Sequence, residues 1–237
     1  MSAKLNSVTL EGIEGTICEV EVEVACGGPE KSLTVGLPDA AVKESTKHVK
    51  SASINCGCKY LKTNSLVNLA PADVKKTGPA FNLPIALGML MGNQAFLSTN
   101  PSDYVIGGEL ALDGRVRPVN GVFSMAMTAA AKGFKGIIVP LENAKEAAAV
   151  QNIEAYGVGS LTQAAAFLSS QLPLDTTTID TDQFFNIESN CDIDFADVKG
   201  QENVKRAVTI ADLANQPNVK SEHIAEAISY RKLDRKL

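Results

Sequence analysis

The chain contains no tryptophan, and aromatic residues make up only 5% of its 237 positions. A core must therefore be assembled mainly from Val, Leu, Ile and Ala, where each large side chain buried is worth about 1.5–3 kcal/mol. Histidine is nearly absent, with only His48 and His223. That scarcity removes most histidine-based metal sites, since a structural zinc takes four N or S ligands. Cysteine is limited to five, an odd number, which argues against a disulfide framework in a chain of this length. Cys56-Gly57-Cys58 is the one suggestive spacing, and the chain has little to complete a metal site with, so reduced thiols and a cytoplasmic location are expected.

No apolar run approaches the ~20 residues that span a bilayer, and no membrane contact is expected. Met1 to Leu10 is mixed polar and lacks the apolar stretch of a signal peptide. Excess positive charge is missing too: the net charge is −5, which gives no support to bulk attraction for DNA or an anionic surface. The phosphate-cradling string G-x-x-x-x-G-K-[ST] does not occur, and the nearest glycine pair, Gly107-Gly108, is followed by Glu109, whose charge repels phosphate. No acidic Walker-B strand is recognisable either. The chain is therefore expected to hydrolyse no ATP and to hold no cofactor.

What is present reads as alternating strands and helices. Val20, Val22 and Val24 alternate with Glu19, Glu21 and Glu23, the mark of a half-buried strand. Leu33 and Val35 repeat the pattern before Gly36. Asp39 stands where an N-cap belongs, ahead of a helix over 40–55 that ends at Gly57 and carries Lys43, Lys47 and Lys50 on one stripe. Ser65 to Ala70 reads as a strand closed by Pro71. Leu83 to Met91 reads as an apolar helix in which Pro84 fits only the first turn. Tyr104 to Leu112 and Arg115 to Val119 flank Asp113-Gly114, a type I′ hairpin signal. Helices over 122–132, 142–150 and 161–168 alternate with strands over 136–139 and 156–158. From Gln171 the composition turns to Thr, Asp, Asn and Ser. The expected organisation is a domain over 1–170, a linker over 171–192 and a small helical appendage over 193–237.

Several segments carry a family likeness. Val35-Gly36-Leu37-Pro38-Asp39, Val67-Asn68-Leu69-Ala70-Pro71-Ala72-Asp73, Phe81-Asn82-Leu83-Pro84-Ile85 and Gly108-Glu109-Leu110-Ala111-Leu112-Asp113-Gly114 with Arg117-Pro118-Val119-Asn120-Gly121-Val122 resemble the amino-terminal domain of the YifB/ComM, magnesium-chelatase-like AAA+ proteins. Asp194 to Glu202 resembles the lead-in to that family's ATPase module. Thr209 to Ala214 and His223 to Arg231 resemble its last lid helices, and the pieces meet near Val208, where the family has its nucleotide-binding core. The resemblance implies an ATP- and Mg²⁺-dependent, self-associating parent linked to DNA processing in natural transformation. It also implies an adenine-side remnant at Val198, Gly200 and Gln201.

The first domain is more distantly similar to the proteolytic domain of Lon-type proteases, which implies an α+β sandwich of mixed sheet and helices like domain 2 of ribosomal protein S5. Lon-type enzymes use a Ser nucleophile after a Gly-Pro turn and a Lys base on a later helix. Those positions fall on Ala80, after Gly78-Pro79, and on Phe123, after Asn120-Gly121-Val122. Neither side chain can do the chemistry. The resemblance thus implies a non-catalytic domain for assembly or partner binding. A residual peptidase using Ser124 and Lys132 is the alternative, as is weak nucleotide contact at the remnant. His48 reads as a surface histidine; Lys75, Lys76, Arg115 and Arg117 read as two basic loops before a phosphate rim. Asp113, Glu142 and Asn143 read as turn and helix-start residues.

Overall fold

A computed structural model describes residues 2–26, 31–57, 63–98 and 100–179. The strands are β1 (Ser2–Glu11), β2 (Glu14–Cys26), β3 (Ser32–Val35), β4 (Thr63–Ala70), β5 (Tyr104–Ile106), β6 (Glu109–Leu110), β7 (Val116–Arg117), β8 (Gly136–Pro140) and β9 (Glu154–Val158). The α-helices are α1 (Ala40–Asn55), α2 (Asn82–Gly92), α3 (Val122–Ala131), α4 (Ala144–Ala148) and α5 (Leu161–Leu168). Seven strands form a mixed sheet in the order β3-β4-β2-β1-β5-β8-β9, and β6 pairs with β7 apart from it. The β1–β2 and β2–β4 pairs are antiparallel; every other pair in the large sheet is parallel.

The alternation in β2 decides which face packs where. Val20, Val22 and Val24 are buried with Leu5 of β1 and Val67 and Leu69 of β4 beneath α1, α2 and α5. On the opposite face Val8, Val105, Ile137 and Val139 pack against Val122, Met125, Ala126 and Ala129 of α3 and Ala144 and Ala147 of α4. The small alanines allow α3 and α4 to lie close to the strands. Helix α2 is apolar on all sides and buried at every residue but Met91, as a helix between a sheet and other helices must be. Pro84 is its third residue, inside the first turn, where its missing N–H has no intrahelical partner. Tyr104, Tyr156 and Phe167 cluster edge-on and tilted, with centroids 4.6–5.9 Å apart.

Several local expectations are corrected. Residues 2–11 form a full strand although they read as mixed polar; their inward positions include Ser7 and Thr9, which break the apolar period. The stretch from Tyr104 to Leu112 is two strands, because the backbone leaves the sheet at Gly107-Gly108. The hairpin at Asp113-Gly114 exists, but only Gly114 has positive φ (84°). Ala111 N–H donates to Arg115 O and Gly114 N–H to Ala111 O, each at 2.9 Å. That is a three-residue loop closing on a left-handed glycine rather than a type I′ turn. The helix expected over 142–150 is a 3-10 turn, Leu141–Asn143, followed by the short α4. Residues 171–179 belong to the stretch that composition marks as linker, yet Thr177 N–H donates to Ala155 O of β9 at 2.8 Å and Leu174 packs on the core.

Cys18 lies fully buried between the β1 and β4 strands. Burial pushes its thiol above the free value of 9.0, while the Lys76 ammonium pulls the other way. A raised folded pKa means that the unfolded thiol ionises first, so this contribution to stability is complete below pH 9.0 and is lost as pH rises through the folded value. Urea unfolding at pH 8 and pH 10 is expected to show a smaller loss of stability for Cys18→Ala than for the unaltered chain.

Candidate functional site

The turn after β4 approaches the strand–helix junction after β7, and their separation leaves a cleft. The first wall begins at the amino end of α1. Asp39 Oδ1 accepts the Val42 N–H at 2.8 Å as an N-cap, and its Oδ2 accepts the Gly78 N–H at 3.0 Å. Asp39 N–H donates to Lys76 O (3.0 Å) and Lys76 N–H to Leu37 O (3.1 Å), which fastens the turn to the helix. Thr9 Oγ1 donates to Lys75 O at 3.2 Å and ties the same turn to β1. Gly78 sits at φ 85°, ψ 172°, with nothing near its Cα to exclude a Cβ, so the requirement for glycine there is conformational. Pro79–Phe81 then form a single 3-10 turn that delivers Ala80 to the cleft.

Lys76 is fully buried, with its Nζ donating to Pro71 O across the same turn. Behind Ala80, Gly108 N–H donates to Ala80 O (2.9 Å) and Leu83 N–H to Gly108 O (3.0 Å). The Gly107-Gly108 pair is a packing device: a Cβ on Gly107 would come within 2.4 Å of Met125 Cε, and one on Gly108 within 3.0 Å of Val116 Cγ1.

The second wall is Pro118-Val119-Asn120. Asn143 brackets Val119, accepting its N–H at 2.9 Å and donating to its carbonyl at 3.0 Å. Asn143 also donates to Glu146 Oε2 at 3.0 Å, while Glu146 Oε1 accepts the Phe123 N–H at 2.9 Å. Glu146 thereby satisfies one of the orphan donors at the start of α3 from a different helix. Between the walls lies a cleft of about 330 Å³, with Val8, Leu10 and Met125 as apolar lining and Thr77, Asn120 and Glu109 as polar lining. Glu109 is 3.6 Å from the Arg117 guanidinium.

Ala80 lines this cleft and is half-buried against the second core. Phe123 is 43% exposed in the first turn of α3 and is not part of the lining. Ser124 and Lys132 stand eight residues apart along α3, a rise of ~12 Å, too far for proton transfer between them. The four cations do not gather into a phosphate rim. Lys75 is exposed and Lys76 is buried, Arg115 Nε is 2.7 Å from Asp113 Oδ2, and Arg117 faces Glu109. His48 is exposed and borders a separate depression of about 380 Å³ with Asp113 and Arg117. Asp113 binds its own turn through Arg115 N–H (3.1 Å), and these bonds lower its pKa. Glu142 lies in the 3-10 turn.

Val198, Gly200 and Gln201 lie outside the described residues, as does Cys58. Cys56 is half-buried, its Sγ 3.6 Å from Asp113 O. Among the described residues no three His, Cys, Asp or Glu side chains group as metal ligands, and no helix is long and apolar enough to cross a membrane. Of the residues that build the walls, Glu146 escapes sequence reading, while Asp39 and Asn143 are visible only in local roles, as a cap and a helix-start residue; each of the three also works through a partner distant in sequence.

Asp39→Ala is expected to cost about 1–2 kcal/mol, measured by chemical denaturation, because the helix cap and the Gly78 anchor go together. Asp39→Asn, which can still accept the Val42 N–H, should cost less.

The chain is similar in sequence to known proteins. Residues 20–143 match the family described as subunit ChlI of Mg-chelatase, and residues 196–231 match the carboxyl-terminal part of that subunit. The chain is 37% identical over 210 residues to the competence protein ComM of Haemophilus influenzae, covering 88% of this chain and 40% of that protein. It is 35% identical over 199 residues to YifB of Escherichia coli, covering 84% and 38%. A Lon protease of Halothermothrix orenii is 30% identical over 141 residues, covering 56% of this chain and 17% of the protease. The chain thus spans about 40% of the length of ComM. With a family match over residues 20–143 and relatives aligned over most of its length, the chain belongs to the YifB/ComM, magnesium-chelatase-like family.

Proposed function

We propose that this chain is a non-catalytic assembly and partner-binding module of a magnesium-chelatase-like AAA+ protein. The lining of the cleft supports this reading. It presents a methyl group at Ala80; among the described residues its lining includes one side-chain hydroxyl, Thr77, and no lysine, histidine, serine or cysteine. A hydroxyl nucleophile needs a base within hydrogen-bonding reach, and the one carboxylate in the lining, Glu109, faces Arg117. The mixed sheet with helices on both faces suits the S5 domain 2-like, Lon-like class, and the 30% identical stretch of a Lon protease lends it weight.

In this reading residues 1–170 are the pseudo-Lon-like domain, 171–192 a linker and 193–237 a helical remnant of the ATPase module. ATP and Mg²⁺ serve the full-length family, and this chain holds neither by itself. Self-association is the partner contact expected first. DNA contact, if the parent makes it, draws no help from a net charge of −5.

The experiment is a thermal-shift titration with Mg²⁺–ATP beside a casein-turnover assay. No nucleotide-dependent shift and no turnover are expected. An Mg²⁺-dependent rise in melting temperature, or casein cleavage abolished by Ser124→Ala, would overturn the reading.

A further inference from the structure

We propose that Asn120-Gly121 is a self-modification site, at which the folded chain slowly converts the Asn120 carboxamide into a carboxylate and gives the cleft a second acid. The conversion is a property of the chain alone and stands whether or not the assembly reading does.

Asn120 is exposed on the second wall of the cleft, in the turn that precedes α3. Among the described residues nothing bonds its carboxamide. Other asparagines are held. Asn143 is bonded to Val119 and Glu146, Asn55 donates to Leu112 O at 2.7 Å, and Asn68 donates to Glu21 Oε2 at 2.8 Å. The Gly121 N–H also meets no described acceptor, so its nitrogen is open to reaction.

The fold itself requires the glycine. Its φ is 80°, in the left-handed region, and a Cβ there would come within 2.4 Å of Leu10 Cδ1. No side chain at position 121 can therefore shield the carboxamide. Every other described asparagine precedes a residue with a side chain, and Asn100 precedes Pro101, which has no N–H.

The step needs only water. Hydroxide takes the Gly121 amide proton, and the nitrogen attacks Asn120 Cγ. The new N–C bond closes a five-membered succinimide while the C–N bond of the carboxamide breaks. The leaving nitrogen takes a proton from water, which restores the hydroxide, and departs as ammonia. A second water then opens the ring on either side. Breaking the bond from the Gly121 nitrogen to Cγ leaves an ordinary aspartate. Breaking its bond to the main-chain carbonyl carbon leaves an isoaspartate, whose main chain runs through Cγ. Either way one carboxamide and one water become one carboxylic acid and one ammonia, and the acid ionises at neutral pH. It joins Glu109, the one carboxylate in the described lining. The isoaspartate also adds a methylene to the main chain between two fixed points, Val119, held by Asn143, and Phe123, held by Glu146.

The test incubates the full, folded chain at neutral and mildly alkaline pH, with circular dichroism to confirm folding. Peptide mapping by mass spectrometry locates each deamidated residue, and electron-transfer fragmentation separates isoaspartate from aspartate. A sample unfolded in guanidinium chloride serves as the reference. Conversion at Asn120 is expected to run roughly tenfold or more ahead of any other described asparagine, and within about tenfold of its rate in the unfolded sample. It should quicken with alkali, because hydroxide removes the amide proton. Asn120→Gln should lose the product, since the longer side chain must close a six-membered ring, which forms more slowly. The proposal is overturned if the folded chain keeps Asn120 intact while the unfolded one converts it. It is overturned equally if another described asparagine converts as fast, or if the same peptide still gains an acid in Asn120→Gln.

Discussion

The carboxylate of Asp39 is the joint on which the described geometry turns. One oxygen caps α1 and the other holds the Gly78 amide, so the start of a helix and the turn that carries Ala80 are positioned by one side chain. The backbone bonds between residues 37–39 and Lys76 stiffen the same junction, and the buried Lys76 closes the turn onto Pro71. From Ala80 the chain of contacts continues through Gly108 to α2 and the sheet. Loss of a single carboxylate therefore loosens the helix, the turn and one wall of the cleft together.

The other wall is organised by the same means from the opposite face. Asn143 and Glu146, from the segment after β8, satisfy the backbone around Val119 and Phe123. The cleft is thus bounded by two junctions that both reach the second core, through Ala80 on one side and Val119 on the other. A frame of this kind retains its shape without reacting side chains inside it, because it is held by side-chain bonds to the backbone from outside the cleft, by backbone bonds and by packing. Recognition surfaces need such a frame and do not need a nucleophile.

Much of the secondary structure was legible in the residues. The alternation of Val and Glu in β2, the Asp39 cap, the exact span of α1 over 40–55 and of α5 over 161–168 all follow from local pattern. The first strand was not legible, since Ser7 and Thr9 occupy inward positions and break the apolar alternation there. Nor was the break at Gly107-Gly108, where the ladder yields to bonds with Ile138 and Ala80 that no local signal announces. Lys76 reads as a loop cation in sequence; its burial depends on a carbonyl brought near by the fold of the turn.

The sequence by itself determined the periodicities, the helix limits, the missing phosphate loop and the family to which the chain belongs. Those properties reside in short runs of neighbouring residues, or in their absence. Tertiary structure alone decided which strands neighbour one another, that Ala80 faces the Pro118–Asn120 junction while Phe123 lies exposed outside it, and that the four basic residues near the cleft do not converge. The physical reason is range. A cap or an alternation is settled within one turn or strand, whereas burial, ion pairing and the meeting of two loops depend on residues tens of positions apart, whose separation closes only when both cores have packed.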